Sequence, residues 1–167
     1  ITNPYMEEGH KWDNIVNECI LKTKCLPVEF GGDKLVNPVT QKKWEVPFQN
    51  YILVGIPDII DLPIIYENKT GGSKDSGDYA TDFQVAMYFF LAELQGIEIQ
   101  KALILHYNQY TRELDKTLIW NTDYERSRAR NYIESLAPEV ENFFIANDLW
   151  NKYGKHPIDK RGKDMVV

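Results

Sequence analysis

The sequence lacks any long apolar segment. No stretch of its 167 residues approaches the ~20 apolar residues that a membrane-spanning helix requires. The N-terminus has neither a basic region nor an apolar region behind it, so no signal peptide is visible. The chain opens on Ile1 rather than Met, which indicates a processed form, a trimmed chain or a piece of something larger. We therefore expect a cytoplasmic protein that does not associate with membranes.

Cysteine is also scarce. Cys19 and Cys25 are the only two cysteines in the sequence, and their spacing fits no zinc-binding motif. Two thiolates cannot fill the four ligand positions of an iron–sulfur cluster. We predict that both are reduced, structural thiols of a cytosolic protein, with a disulfide between them as the alternative.

Positive charge is in deficit. There are 19 Lys and Arg residues against 25 Asp and Glu residues, a net charge of −6. This balance counts against general nucleic-acid binding through a basic surface. It does not count against an enzyme that concentrates carboxylates at a metal site and contacts phosphates through a local basic strip. Arg126, Arg128 and Arg130 are candidates for such contacts, with a solvated helix face as the alternative.

The hydrophobic and aromatic content of the sequence predicts one folded domain. Hydrophobic residues make up 43% of the chain and aromatic residues 13%, which is enough for a sizeable core. There are no repeats, no low-complexity tract and no convincing linker, so we predict a single domain over residues 1–167. The tail at 151–167 is polar with two basic clusters, and we expect it to be loosely ordered.

The spacing of apolar residues and turn signals predicts both helices and strands. The predicted helices are at 4–21, at 81–95 and from the capping box Thr122-Asp123-Tyr124-Glu125 onward. Pro138 should kink or split the last helix. The predicted strands lie within 44–60 and at 64–69, 101–107 and 116–120. This order predicts an α/β or α+β sandwich with a central mixed sheet flanked by helices.

Three charged residues in the strand-rich segment form the main candidate site. Side chains alternate between the two faces of a strand, so Glu67 and Lys69 share one face. The segment Asp61-Leu62-Pro63 is typical of a hairpin turn, in which Asp61 is expected to act as a cap. Because Asp58 and Glu67 lie about equally far from this turn, we expect them to be close across the strand pair.

These residue types suit metal-dependent cleavage of a phosphodiester. Magnesium prefers octahedral oxygen coordination and usually takes only one or two carboxylates. Asp58, Glu67 and the backbone carbonyl of Asn68 can supply such ligands. Lys69 would then lie beside a metal-bound water or the scissile phosphate, where it can orient the nucleophile or stabilise developing charge. For each residue alone, the alternative is an ordinary charge cluster on a solvated sheet face.

The segments around these residues resemble a known nuclease motif. Pro57-Asp58 followed by Glu67-Asn68-Lys69 resembles the motif of the PD-(D/E)XK nuclease superfamily. The flanking residues resemble its RecB-type exonuclease branch in three segments, Gly55-Ile56-Pro57-Asp58, Glu67-Asn68-Lys69-Thr70-Gly71 and Gln84-Val85-Ala86-Met87-Tyr88. The resemblance extends from about Gly9 to Tyr107.

This resemblance implies a restriction-endonuclease-like core and a metal-dependent deoxyribonuclease, more specifically an exonuclease of a repair, recombination or phage system. The implied cofactor is Mg²⁺, with Mn²⁺ as a substitute. The implied partners are single- or double-stranded DNA and further domains or subunits of a larger nuclease. Four cysteines hold an iron–sulfur cluster in some relatives, and their absence here means that no cluster is implied. The implied catalytic residues are Asp58, Glu67 and Lys69, and the implied substrate-positioning residues are Gln84, Tyr88 and Thr70.

One further metal ligand departs from the family pattern. The family places a metal-ligating His on the N-terminal helix, four residues after a Gly. Here Gly9 is followed four residues later by Asp13, and the histidine is His10. We favour Asp13 because carboxylates suit magnesium better than imidazole does, and we keep His10 as the alternative. Glu45 is a further candidate, whereas His106 lies in an apolar strand and is expected to be structural.

Two other functions compete with a nuclease. A non-catalytic module with the same fold would bind nucleic acid or protein, and the acidic net charge and the altered N-terminal motif favour it. The retention of Asp58, Glu67 and Lys69 favours an enzyme. A sugar- or nucleotide-processing enzyme fits poorly, because the Walker and Gly-x-Gly-x-x-Gly motifs are absent and Lys69 has no evident part in glycoside hydrolysis.

Overall fold

The computed structural model describes residues 4–71, 80–147 and 163–166, which form an α+β fold. The helices are α1 (Pro4–Thr23), α2 (Phe83–Gln95) and α3 (Asp123–Ala146), with a short 3-10 helix at Val28–Phe30. The strands are β1 (Val39–Thr40), β2 (Trp44–Phe48), β3 (Tyr51–Gly55), β4 (Ile59–Asp61), β5 (Ile64–Gly71), β6 (Lys101–Asn108), β7 (Leu114–Trp120) and β8 (Lys163–Val166). Within these ranges, no helix is both long enough and apolar enough to cross a bilayer.

The contacts between residues divide the described chain into two compact units. The first contains residues 4–42, 57–71, 80–82 and 98–120. The second contains residues 43–56, 83–97, 121–147 and 163–166. Each unit therefore combines several separate segments of the chain. The number of domains stays a prediction.

The first unit is built on a mixed five-stranded sheet, in the order β1-β4-β5-β6-β7. Strands β5 and β6 run parallel, whereas all other neighbours in this sheet run antiparallel. The predicted mixed sheet is therefore confirmed. Residues of α1, of the 3-10 helix and of the sheet share one buried core, which consists of Val16, Ile20, Leu26, Phe30, Leu35, Ile59, Tyr66 and Leu105.

Helix α1 packs on the sheet through one face. Val16 and Ile20 lie one turn apart, and both are fully buried in this core. Closer to its N-terminus, Gly9 brings the helix next to β5, since a Cβ atom there would lie 3.0 Å from Thr70 Oγ1. The predicted N-terminal helix is confirmed, and it continues to Thr23.

The β4–β5 hairpin turns at Leu62-Pro63, as predicted from the sequence. Its register pairs Ile59 with Tyr66. One step further from the turn, the same register places Asp58 opposite Glu67. Asp58 is partly exposed, whereas Glu67 lies in the buried centre of β5. The pair therefore extends from the surface into the interior.

Asp61 does not cap the hairpin turn. Its side chain is buried, and its carboxylate accepts hydrogen bonds from the backbone N–H of Val36 at 3.0 Å and of Asn37 at 2.7 Å. Asp61 therefore ties the segment before β1 to the end of β4. The prediction was wrong because the true partners lie 25 and 24 residues away in the sequence, where no local pattern indicates them.

The second unit contains a three-stranded sheet in the order β2-β3-β8. Strands β2 and β3 form an antiparallel hairpin, and β8 runs parallel to β3. Strand β8 belongs to the tail for which loose order was predicted; residues 151–162 and 167 of that tail lie outside the described residues. At the end of β3, a Cβ atom on Gly55 would lie 2.6 Å from Leu91 Cδ1 of α2, so the strand and the helix are in close contact there.

The ends of α2 and α3 agree with the sequence signals. Helix α2 ends before Gly96, whose φ of 68° is the left-handed conformation that favours glycine. Helix α3 begins at the predicted capping box, where Thr122 Oγ1 accepts a hydrogen bond from the backbone N–H of Glu125 at 3.3 Å.

Pro138 does not split α3, which is continuous over 24 residues. Ile133 and Ala137 are buried in the turn before the proline. In the turn after it, Glu141 Oε2 accepts a hydrogen bond from the Tyr51 hydroxyl at 3.4 Å. Local propensity alone predicted a kink or a split. The continuous helix excludes the split, because tertiary contacts on both sides of the proline outweigh that propensity, and the kink stays a prediction.

Candidate metal and phosphate site

The carboxylates of Asp58 and Glu67 each bind a backbone N–H of the opposite strand segment. Glu67 Oε1 accepts a hydrogen bond from the Asp58 N–H at 3.0 Å. Asp58 Oδ2 accepts one from the Asn68 N–H at 2.8 Å. The predicted approach of the two carboxylates across the hairpin is therefore confirmed. These two bonds fix the direction of both side chains relative to β4 and β5.

Glu67 is buried, and burial makes the ionised form of its carboxyl unfavourable. Its side chain is 2% exposed, and burial raises its pKa well above the ordinary value of 4.5. The neighbouring Asp58 raises that pKa further, whereas the hydrogen bond from the Asp58 N–H and the charge of Lys69 act in the opposite direction. The pair therefore favours a bound proton or a bound cation over two bare negative charges.

Lys69 follows Glu67 on the same face of β5 and meets a carboxylate that the sequence did not indicate. Its ammonium lies 3.6 Å from Asp82 Oδ2, and the two side chains are only 19% and 13% exposed. Asp82 stands directly before the first residue of α2. No sequence motif links it to Lys69.

Asp13 lies within electrostatic reach of the same carboxylates. Burial raises its pKa to about 6, and Asp58 contributes to that rise, while His10 and Lys69 oppose it. His10, by contrast, is exposed on α1. Asp13 thus lies near the site and is the more enclosed of the two candidates for the ligand on the N-terminal helix, whereas His10 is placed only by its effect on Asp13.

Gln41 is a second residue that the sequence did not indicate. Its side-chain Nε2 donates a hydrogen bond to Asp58 Oδ1 at 2.9 Å, and its backbone N–H donates to the Asp58 carbonyl at 2.9 Å. Gln41 follows directly after the two-residue strand β1. So short a strand has no recognisable periodicity, which explains why the contact was not predicted.

In the second unit, Gln84 and Tyr88 form a hydrogen-bonded pair, as their spacing on one helix face predicts. Gln84 Nε2 donates to the Tyr88 hydroxyl at 2.8 Å, and that hydroxyl donates to the Ile56 carbonyl at 3.0 Å. Tyr88 is only 1% exposed. In the chain, Ile56 directly precedes Pro57-Asp58, so Tyr88 anchors the residue that leads into the acidic pair.

The remaining candidates have other partners. Glu45 is 57% exposed and pairs with Lys43 in the second unit. His106 is buried, and its Nδ1 lies 2.9 Å from Asp115 Oδ1, which agrees with a structural role. The three arginines of α3 form ion pairs within the second unit, Arg126 with Glu93 and Asp123, Arg128 with Glu125, and Arg130 with Glu93.

The oxygen donors around Asp58 bear on which metal ion the site could hold. In the parts of the chain that the structure describes, no group of three or more His, Cys, Asp or Glu side chains converges as a ready-made metal site. Asp58 and Glu67 provide two carboxylates, and Asn68 provides a backbone carbonyl between Glu67 and Lys69. Hard oxygen donors in this number suit Mg²⁺ or Mn²⁺ rather than a zinc centre, which takes four protein ligands or three and a water.

Comparisons with known proteins bear on the fold. No protein-family model matches the chain, and a search of curated proteins found no match. Among solved structures, the chain is similar to the crystal structure of SSO0001, with a TM-score of 0.52 and 14% sequence identity. The match covers 81% of this chain and 61% of SSO0001, so this chain spans less than two thirds of that protein. At this identity the likeness shows a shared fold alone.

Proposed function

We propose that this protein is a metal-dependent DNA nuclease of the PD-(D/E)XK superfamily, in its RecB-type exonuclease branch, with a restriction-endonuclease-like core. The observation that carries the proposal is the pair of hydrogen bonds across the β4–β5 hairpin, from the Asp58 N–H to the Glu67 carboxylate and from the Asn68 N–H to the Asp58 carboxylate. Lys69 lies two residues beyond Glu67 on the same face of β5. A cation held by the two acids and the Lys69 ammonium could therefore contact the same phosphate. An ordinary surface charge cluster would not bury Glu67 to 2% exposure.

A hard divalent cation fits the oxygen donors of this pair. Asp58 and Glu67 would hold Mg²⁺, or Mn²⁺ in its place, with the Asn68 carbonyl as a further ligand. The raised pKa of Glu67 supports this assignment, because a cation beside Asp58 would replace the proton that the pair otherwise favours. When bound, the cation supplies charge neutralisation and Lewis acidity toward the phosphodiester.

The chain's own residues supply the rest of the chemistry. The Lys69 ammonium would bind the scissile phosphate and stabilise the negative charge that develops on its oxygens. Asp82 holds that ammonium at 3.6 Å and so restricts the directions in which it can point. Asp13 would add a carboxylate near Asp58, and we favour it over the exposed His10 as the contribution of α1.

The proposed substrate is single- or double-stranded DNA, cut from an end. With a net charge of −6, the chain must bind DNA through local contacts rather than through a broad basic surface. Thr70 and Gln84 are proposed to position the strand, and the buried Tyr88 acts indirectly by holding the Ile56 carbonyl. Further domains or subunits of a larger nuclease are the proposed protein partners.

The test is cleavage of end-labelled linear DNA, single- and double-stranded, with Mg²⁺ or with EDTA. We expect cleavage only with Mg²⁺, and its loss in Lys69→Met. Lys22→Met is the matched control, because Lys22 is exposed on α1 and pairs with Glu18 in the preceding turn. If wild type shows no Mg²⁺-dependent cleavage, or if Lys69→Met cleaves as well as Lys22→Met, the proposal fails.

A binding module without catalysis is the second candidate. It is favoured by the absence, in the described ranges, of a cluster of three metal-ligating side chains. Calorimetric titration with Mn²⁺ separates the two functions. A nuclease site should bind Mn²⁺ and lose that binding in Asp58→Asn, whereas a degenerate site should give no binding heat in either protein.

A further inference from the structure

Gln41 continues the sheet register directly beside Asp58. Strands β1 and β4 pair Val39 with Ile60 and Thr40 with Ile59, so the next pair in the ladder is Gln41 with Asp58. The Gln41 N–H makes the expected ladder bond to the Asp58 carbonyl at 2.9 Å. Asp58 thus has Gln41 as its neighbour on the β1 side.

Both oxygens of the Asp58 carboxylate are fixed by donors from neighbouring strands. Oδ1 accepts from Gln41 Nε2 at 2.9 Å, and Oδ2 accepts from the Asn68 N–H at 2.8 Å. The amide of Gln41 must present its nitrogen, since two facing oxygens would repel each other. A carboxylate has about four lone-pair sites, so two donors fix its plane and still leave positions for a cation.

The backbone at Gln41 is in a costly conformation for this residue type. Its φ is 53°, in the left-handed region that non-glycine residues rarely occupy. Glycine would adopt this turn without strain. The side chain of Gln41 is exposed, so core packing does not require it. What the glutamine adds over a glycine is the hydrogen bond to Asp58.

We propose that Gln41 is a positioning residue for the metal ligand Asp58: its side-chain amide holds the carboxylate in the orientation that accepts a divalent cation. This inference rests on the proposed function, because it assigns Asp58 to a metal site. Partners of this kind, which touch a ligand and not the metal, commonly change metal affinity by about 10- to 100-fold when they are removed.

The chain offers a matched control for the backbone effect. Gln49 is also an exposed glutamine, its φ is 54°, and it lies in the turn between β2 and β3. Gln41→Gly and Gln49→Gly relieve the same left-handed strain. Only the first removes a donor from Asp58. Gln41→Met serves as a second variant, since it keeps the side-chain length, the strained backbone and the backbone N–H but has no N–H group in its side chain.

The experiment measures the dissociation constant for Mn²⁺ by calorimetry and the melting temperature in EDTA, for the whole chain and each variant. We expect Gln41→Gly and Gln41→Met to weaken Mn²⁺ binding by about tenfold. Gln49→Gly should bind like wild type. Gln41→Gly should melt no lower than wild type, because it loses an exposed contact but relieves backbone strain. A purely structural Gln41 would instead lower the melting temperature and leave affinity unchanged.

The outcomes separate this inference from the proposed function. If wild type binds Mn²⁺ and both Gln41 variants bind it equally well, the inference is overturned and the proposed function stands. If wild type gives no Mn²⁺ binding heat, both are overturned. If Gln41→Gly fails to fold, the affinity of Gln41→Met decides in the same way.

Discussion

Replacing Asp58 with asparagine is expected to make the metal-free protein more stable at alkaline pH, although it removes a proposed metal ligand. The reason is the buried Glu67, whose pKa is raised by burial and by the charge of Asp58. Asparagine keeps the shape of Asp58, and its amide oxygen can still accept the hydrogen bond from Asn68. The substitution therefore removes a repulsion while it preserves the hairpin contact.

The size of the effect follows from two opposing contributions. Two unit charges about 5 Å apart, as for opposite residues in an antiparallel pair, repel by roughly 3 kcal/mol at an effective dielectric constant of about 20. Loss of the charge on Asp58 weakens its hydrogen bond from Asn68 by about 1 kcal/mol. The net gain in the free energy of unfolding is therefore about 2 kcal/mol when Glu67 is ionised.

The gain should depend on pH with a definite sign. The folded-state pKa of Glu67 is raised, so in wild type the unfolded state loses its proton first as pH rises. Well below the ordinary value of 4.5, Glu67 is protonated in both states and the repulsion is absent. As pH rises through the window between 4.5 and the raised pKa, wild type loses stability. Asp58→Asn should lose less, so the difference between the two proteins should grow with pH.

Urea unfolding in EDTA at about pH 5 and about pH 8 measures this difference. Glu139→Gln is the control for net charge, because Glu139 is exposed on α3 and its removal should change stability by less than about 0.5 kcal/mol. Two results would refute the reasoning. One is a less stable Asp58→Asn at pH 8, and the other is a stability difference that is the same at both pH values.

Three further substitutions test other contacts of the structure. Gly55→Ala should destabilise the protein by about 1–3 kcal/mol in urea unfolding, because the added Cβ would meet Leu91 Cδ1 at 2.6 Å; an unchanged midpoint would contradict that close contact. Asp82→Asn should lower the DNA cleavage rate by roughly 10- to 100-fold, because the Lys69 ammonium loses its fixed direction, and Asp82→Glu should restore part of it. Tyr88→Phe should lower the free energy of unfolding in urea by about 1 kcal/mol, because the Gln84 amide and the Ile56 carbonyl lose their hydrogen bonds to the buried hydroxyl; a loss below about 0.5 kcal/mol would argue against the anchor.

Local patterns were sufficient to predict the hairpin and the helix ends. Asp58 and Glu67 lie symmetrically about a proline-containing turn, and this symmetry alone predicts that they meet. Gly96 and the capping box at Thr122 mark helix boundaries through the conformations of single residues. The pairing of Gln84 with Tyr88 follows in the same way from helical periodicity. In each case the partners are near in sequence.

Contacts between distant segments could not be predicted. Asp61 binds backbone groups 24 and 25 residues away, and Gln41 reaches Asp58 across 17 residues. Asp82 pairs with Lys69, to which no sequence motif links it. Strand β8 pairs with β3 from the far end of the chain. A single sequence records propensities but not these distances. The contact of Gln41 with Asp58 and the contact of Asp82 with Lys69 were therefore visible only in the structure.

Anomalous scattering from crystals soaked in Mn²⁺ tests the central claim most directly. The claim is that Asp58 and Glu67 hold a divalent cation, with the Asn68 carbonyl beside them. We predict an anomalous peak within about 2.0–2.6 Å of an oxygen of each carboxylate, and its position relative to Asp13 and His10 would decide which of them contributes from α1. The account is contradicted if no peak lies at these carboxylates while bound Mn²⁺ is detected elsewhere on the protein or not at all.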